Sequence, residues 1–144
     1  MAQTYEYDPA QVTFVFAGVV AQQVTEDGGI TFTRNSDMYS LAVGVDGIPT
    51  RIKNNNFSGR FTVTLQQSSP TNADFNALAT ADEVNGNGKG PVFLRDASGT
   101  SIVTAATAWI VKKPDLSFNN SLQDRQWVIE CGYATMEVGA SRVA

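Results

Sequence analysis

The residues from Arg51 to Pro70, RIKNNNFSGRFTVTLQQSSP, place the tightest limit on the fold. Phe61, Val63 and Leu65 alternate with Thr62, Thr64 and Gln66, the period-two pattern of a strand that buries one face. The opposite face of this run is polar and uncharged. Phe57-Ser58-Gly59 leads into it. Ser68-Ser69-Pro70 ends it, because turn residues and a proline without an N–H do not extend a ladder.

The same alternation recurs along the chain. Val12, Phe14 and Phe16 form one strand, after which Gly18 marks either a bulge or a turn into a short strand at Val19-Val20. Glu26-Asp27-Gly28-Gly29 reads as a turn before the strand Ile30-Thr31-Phe32-Thr33. Tyr39, Leu41, Val43 and Val45 share a face, and Asp46-Gly47 is a two-residue hairpin signal that returns the chain through Ile48 to Lys53. Pro49 restricts that returning strand to a sheet edge, and Asn54-Asn55-Asn56 closes it with residues that favour turns. Further strands are expected at Val92 to Leu94, Ser101 to Val111, Arg125 to Tyr133 and, more briefly, Leu116 to Phe118.

One helix interrupts the strands. Ser69 is placed to cap it, Pro70 to occupy its first position and Asp74 to meet the positive end of its dipole. Phe75, Leu78, Ala79 and Asp82 repeat at helical spacing, with Phe75 and Leu78 as anchors worth about 1.5–3 kcal/mol each on burial. Asn85-Gly86-Asn87-Gly88-Lys89-Gly90 is glycine-rich like a phosphate loop. It lacks the Ser or Thr and the following helix that such a loop needs, so it reads as a linker. Eight or more strands and one short flanking helix predict a mainly β fold, an antiparallel sandwich or barrel-like domain spanning residues 1–144, with terminal arms at about 1–8 and 134–144.

The composition excludes several kinds of chemistry. There is no histidine among the 144 residues, which removes the commonest general base and metal ligand. Cys131, the single cysteine, alternates with Trp127 and Ile129 on an apolar strand face, where a thiol is buried and inert. The acidic neighbours Glu26-Asp27 and Asp82-Glu83 lie at turns or helix ends and form no paired-carboxylate site, and no calcium loop is present. We therefore expect no catalytic residue, no metal and no cofactor. The formal net charge of −4 and scattered basic residues disfavour general nucleic-acid binding; Lys112-Lys113 is read as a solvated strand end. No basic-then-apolar signal segment opens the chain, and no apolar run approaches the ~20 residues of a spanning helix, so synthesis in the cytoplasm is expected.

The threonines at 13, 31, 33, 62 and 64 have two readings. Threonine suits any solvent-facing strand position, or a broad uncharged face is one that something slides past or closes around.

Taken in order, YDPAQVTFVFAGV, ITFTRNSDMYSLAVGVDG, RIKNNNFSGRFTVTLQQSSPTNADFNAL, GKGPVFLRDASGTS, AWIVKKPDLSF and RQWVIEC resemble the tail tube proteins of contractile-tailed bacteriophages over nearly the whole chain. The resemblance implies a β-sandwich with a flanking helix that forms hexameric rings stacked into a tube. The genome would pass through it without specific binding, and sheath, baseplate and tail-terminator proteins would be the partners. On this reading Thr31, Thr33, Thr62 and Thr64 face the lumen. Asp46, Gly47, Arg51, Lys53, Asn54, Asn55 and Asn56 form the loop to the next ring, with Asp82 or Glu83 of a neighbour as partners for Arg51 and Lys53. The protein would be made in the host cytoplasm and reside in the virion tail. Two alternatives are a baseplate or tail-end relative of the tube protein, and a monomeric ligand-binding sandwich with Trp109, Trp127 and Tyr133 as an aromatic platform.

Overall fold

The computed structural model describes residues 3–26 and 29–144. Asp27 and Gly28 of the expected turn, and Met1 and Ala2 of the expected arm, lie outside the described residues. The elements run β1 (Tyr5–Glu6), a 3-10 turn (Pro9–Gln11), β2 (Val12–Phe16), β3 (Val19–Val20), β4 (Ile30–Arg34), β5 (Tyr39–Val43), β6 (Pro49–Lys53) and β7 (Gly59–Gln66). They continue with α1 (Thr71–Asn85), β8 (Gly90–Asp96), β9 (Ile102–Lys112), β10 (Asp124–Cys131), β11 (Thr135–Glu137) and β12 (Arg142–Val143).

The main sheet has the order β3-β2-β8-β9-β10-β7-β4, with β11 added to β9, and its pairs are antiparallel. β2 and β7 are separated in the sheet by β8, β9 and β10, yet the rings of Phe14 and Phe61 lie 5.4 Å apart. The sheet must therefore curl until its inner face meets itself, which is the barrel-like form expected from the strand pattern. Register shifts at Val128/Ile129 and Gly90/Val92 supply bends, since a bulge adds a residue to one strand and sharpens local twist.

The alternation in the central strand dictates the core. Phe61, Val63 and Leu65 are fully buried, joined by Phe14, Phe16, Val92, Ile129 and Cys131. α1 closes the open side: the Phe75 ring meets Phe16 at 6.1 Å and Trp127 at 5.6 Å, both nearly edge-on. Its start is set by Ser69, whose hydroxyl accepts from the Thr71 N–H at 3.3 Å and donates to the Gln22 carbonyl at 2.6 Å, with Pro70 already in the helical region. The helix runs three residues past Asp82, to Asn85, because Gly86 takes a left-handed cap and returns its N–H to the Asp82 carbonyl. In the linker that follows, the Gly88 N–H reaches the Asp82 carboxylate, so the stretch is tied back to the helix.

Three local expectations change. Leu116 to Phe118 forms no strand and belongs to the loop between β9 and β10. Asp46-Gly47 is not the centre of a two-residue turn: the Gly47 N–H bonds to the Gly44 carbonyl at 2.9 Å, so Val45 and Asp46 occupy the central positions and Gly47, at φ 83°, follows them. The segment after Ala134 is patterned by pairing: β11 joins β9, β12 joins β1, and Arg142 forms an ion pair with Glu6 at 2.7 Å.

Candidate assembly surfaces

Two surfaces stand apart from the core. The first is the outer face of β4, β7 and β10. Thr31 is directly opposite Thr62, and Thr33 opposite Arg60; Thr31 and Thr33 are exposed and Thr62 half-buried. Thr64 differs. It is only 8% exposed, and its backbone is bonded on one side to the segment that includes Thr25 and Gly29. The sequence reading of this face as uncharged also needs correction. Continuing the alternation back from Thr62 reaches Arg60, which is paired in register with Glu130 on β10 and meets its carboxylate at 3.6 Å. Asn35 adds a hydrogen bond to the same carboxylate. The face is thus polar and locally neutral rather than free of charges.

The second surface is the β5–β6 hairpin, a separate two-stranded sheet. Every residue of both strands is exposed, although Leu41, Val43 and Ile52 are large and apolar, as are Val45 and Ile48 in the turn. Within it, the Arg51 guanidinium stacks on Tyr39 at 4.1 Å. Asp46 accepts from the Ile48 N–H, Asn54 from the Asn56 N–H, and Asn56 from the N–H and hydroxyl of Ser58. Asp46, Gly47, Arg51, Lys53, Asn54, Asn55 and Asn56 are therefore brought together on one projecting arm. Of the acids named as partners for its cations, Glu83 already lies 4.0 Å from Lys113, while Asp82 holds the linker after α1.

The proposed aromatic platform comes apart in three dimensions. Trp127 is 2% exposed and donates its indole N–H to Asn72 at 2.9 Å, inside the core. Trp109 and Tyr133 instead line a groove on the outside of the sheet with Phe93 and Thr104. Burial pushes the Cys131 thiol above its ordinary pKa, against a smaller lowering from the Gly59 backbone. Among the described residues, no group of three or more His, Cys, Asp or Glu could hold a metal, and no helix is long and apolar enough to cross a membrane.

The fold is thus a curled antiparallel sheet, plugged by one helix, with an apolar hairpin left outside its core. The comparisons with known proteins agree. Residues 9–139 match the family model described as the bacteriophage PhiTE tail tube protein. The chain is 30% identical to structural protein ORF10 of Pseudomonas phage KPP10 over 148 aligned positions, covering 97% of this chain and 86% of that protein. It belongs to this phage tail tube family. Its fold is also similar to the sheath/tube terminator of an extracellular contractile injection system, PVC (TM-score 0.65, 10% identity, 95% of this chain and 100% of the other). The sheath-tube complex of that system gives TM-score 0.65 at 8% identity, covering 92% of each chain. The tube-terminating cap of the anti-feeding prophage gives 0.61 at 9%, covering 95% of this chain and 94% of the other.

Proposed function

We propose that the chain closes into hexameric rings that stack as the tail tube, the conduit for the genome, in a virion tail whose sheath, baseplate and terminator proteins are its partners. Synthesis takes place in the host cytoplasm. The observation that carries this reading is the β5–β6 hairpin: family membership gives the tube, and an arm whose apolar side chains find no cover in their own subunit needs a neighbour to bury them. The outer edge of β4, which among the described residues is paired on one side only, is suited to pairing between subunits in a head-to-tail ring. Thr31, Thr33 and Thr62 face the lumen on this reading, with the buried Thr64 beside them in β7. A lining of hydroxyls and a neutralised Arg60–Glu130 pair would not grip DNA phosphates as a basic lining does, with non-specific dissociation constants of about 10⁻⁴–10⁻⁶ M.

Negative-stain microscopy and native mass measurement test the proposal. Sixfold rings and tubes are expected, and monodisperse monomers at high concentration would refute it. Removing Asp46 to Asn55 is expected to leave folded rings that no longer stack. A second reading, a tail-end or terminator relative, is favoured by the equal likeness to a terminator fold; it predicts single rings that never polymerise yet bind the end of a preformed tube.

A further inference from the structure

Arg125 is the one buried charged side chain among the described residues, at 5% exposure. Its position in β10 follows the inward alternation of Trp127, Ile129 and Cys131. Among the described residues its side chain joins no ion pair and makes one hydrogen bond, a long one of 3.4 Å from Nη1 to the carbonyl of adjacent Asp124; the Phe118 ring lies 5.2 Å from the guanidinium carbon. Its remaining guanidinium nitrogens keep solvent access, so a side chain held against protein along its length still has donors to offer.

Arg125 lines a cavity of about 460 Å³ between the start of α1 and the loop after β9. Gln67, Asn72, Asn76 and Lys113 line it too, and no carboxylate does; the Asn72 amide is already engaged by Trp127 and by the Gln66 and Gln67 carbonyls. At its lip stand Leu116 and Phe118, 70% and 73% exposed. Two cations, Arg125 and Lys113, with an apolar rim and no carboxylate are the complement of a carboxylate carried on an apolar turn. The hairpin tip of this chain has that composition. Val45 and Ile48 are fully and largely exposed around Asp46, whose Oδ1 holds the Ile48 N–H and whose other oxygen makes no hydrogen bond among the described residues. Glu137 also has apolar neighbours, but it is laddered to β9 in the main sheet and cannot project.

The geometry points to this cavity as the receptor for the hairpin of a second copy, with Asp46 of one subunit meeting Arg125 of the next while Val45 and Ile48 pack on Leu116 and Phe118. The inference rests on the hairpin's role between rings and names the site that receives it. A charge-assisted pair in such a pocket contributes more than an exposed one, because truncating either partner leaves the other desolvated.

The test uses the full chain and reads the critical concentration for tube formation by sedimentation, with microscopy of the pellets. Asp46→Asn keeps the acceptor for the Ile48 N–H and removes only the charge; it is expected to raise that concentration by about tenfold or more. Arg125→Gln is expected to do the same, and the exchange Asp46→Arg with Arg125→Asp to recover part of the loss. Because substitution at Arg125 touches the core, a second measurement stands independently of it: Val45→Cys with Leu116→Cys should form a disulfide between copies in oxidised tubes, and neither single variant should. If Asp46→Asn assembles like the unaltered protein and no cross-link forms, while removal of the hairpin still stops stacking, this receptor site is overturned and the hairpin's inter-ring role stands. If removal of the hairpin also changes nothing, the role itself falls.

Discussion

β7 and the β5–β6 hairpin are written in the same alternating code and end in opposite environments. Phe61, Val63 and Leu65 in β7 are fully buried, whereas Leu41 and Val43 in β5 are 68% and 60% exposed. The difference lies in what is stacked over them. β7 is laddered between β10 and β4 and its inner face is roofed by β2, while among the described residues the hairpin strands pair only with each other. An isolated two-stranded hairpin is marginal in water. Local pattern therefore specifies a strand, and only a third surface, within the chain or on another copy, decides whether its apolar face is core or interface.

The largest expected contrast is in stability. Phe61→Ala removes a ring that contacts both Phe14 and Phe32 and should lower the unfolding free energy of the subunit by about 3–5 kcal/mol. Leu41→Ala should change it by no more than about 0.5 kcal/mol while impairing assembly. Urea unfolding of assembly-blocked subunits measures both, and a Leu41 cost comparable to that of Phe61 would erase the distinction.

Hydrogen exchange sharpens the comparison without substitution. Amides of β7 are expected to exchange only through global unfolding, and those of β5 and β6 through local opening that costs close to nothing in the free subunit. In tubes the hairpin amides should become strongly protected. Equal protection of both regions in the free subunit would mean that the hairpin packs on its own chain.

Much of this was legible because burial and alternation coincide: the inward residues of β2, β7 and β10, the helix anchor Phe75 and the buried thiol all follow from period. Leu116 and Phe118 misled because an apolar residue at alternate positions reads as a strand even where it lines a cavity rim. Trp109 could not be placed from its own strand, because inward alternation in β9 lapses at Ala106-Thr107; its outward side is fixed by pairing with Glu130. Arg125 was missed for the opposite reason. Charge argues for solvent, and the one available signal was its parity with Trp127 and Ile129.

A smaller test uses two glycines with matching strain. Gly47 at φ 83° and Gly86 at φ 74° both adopt the left-handed conformation, and a Cβ on either would meet nothing within 4 Å, so alanine adds backbone strain alone. Gly86→Ala acts on the cap of a helix that closes the core and should cost about 1 kcal/mol of global stability. Gly47→Ala carries similar strain in a hairpin outside the cooperative unit. Its global midpoint should stay unchanged while the exchange of β5 and β6 amides speeds up. A global loss at Gly47 as large as at Gly86 would place the hairpin inside the cooperative unit.

The smallest effect concerns the thiol paired across from Gly59 at the end of β7. Burial raises the Cys131 pKa above its ordinary 9.0, so the folded state favours the protonated thiol. Its contribution to stability is whole below that ordinary value and is lost as pH rises through the folded pKa, where the unfolded chain has already released the proton. Relative to Cys131→Ala, the unaltered protein should therefore lose stability more steeply above about pH 9, with parallel curves below it. A thiol reagent supplies the matching contrast. It should modify a Val43→Cys variant at once on the exposed hairpin and reach Cys131 only as fast as the core opens. Rapid labelling of Cys131 in the folded subunit would show that the end of β7 opens as freely as the arm that precedes it.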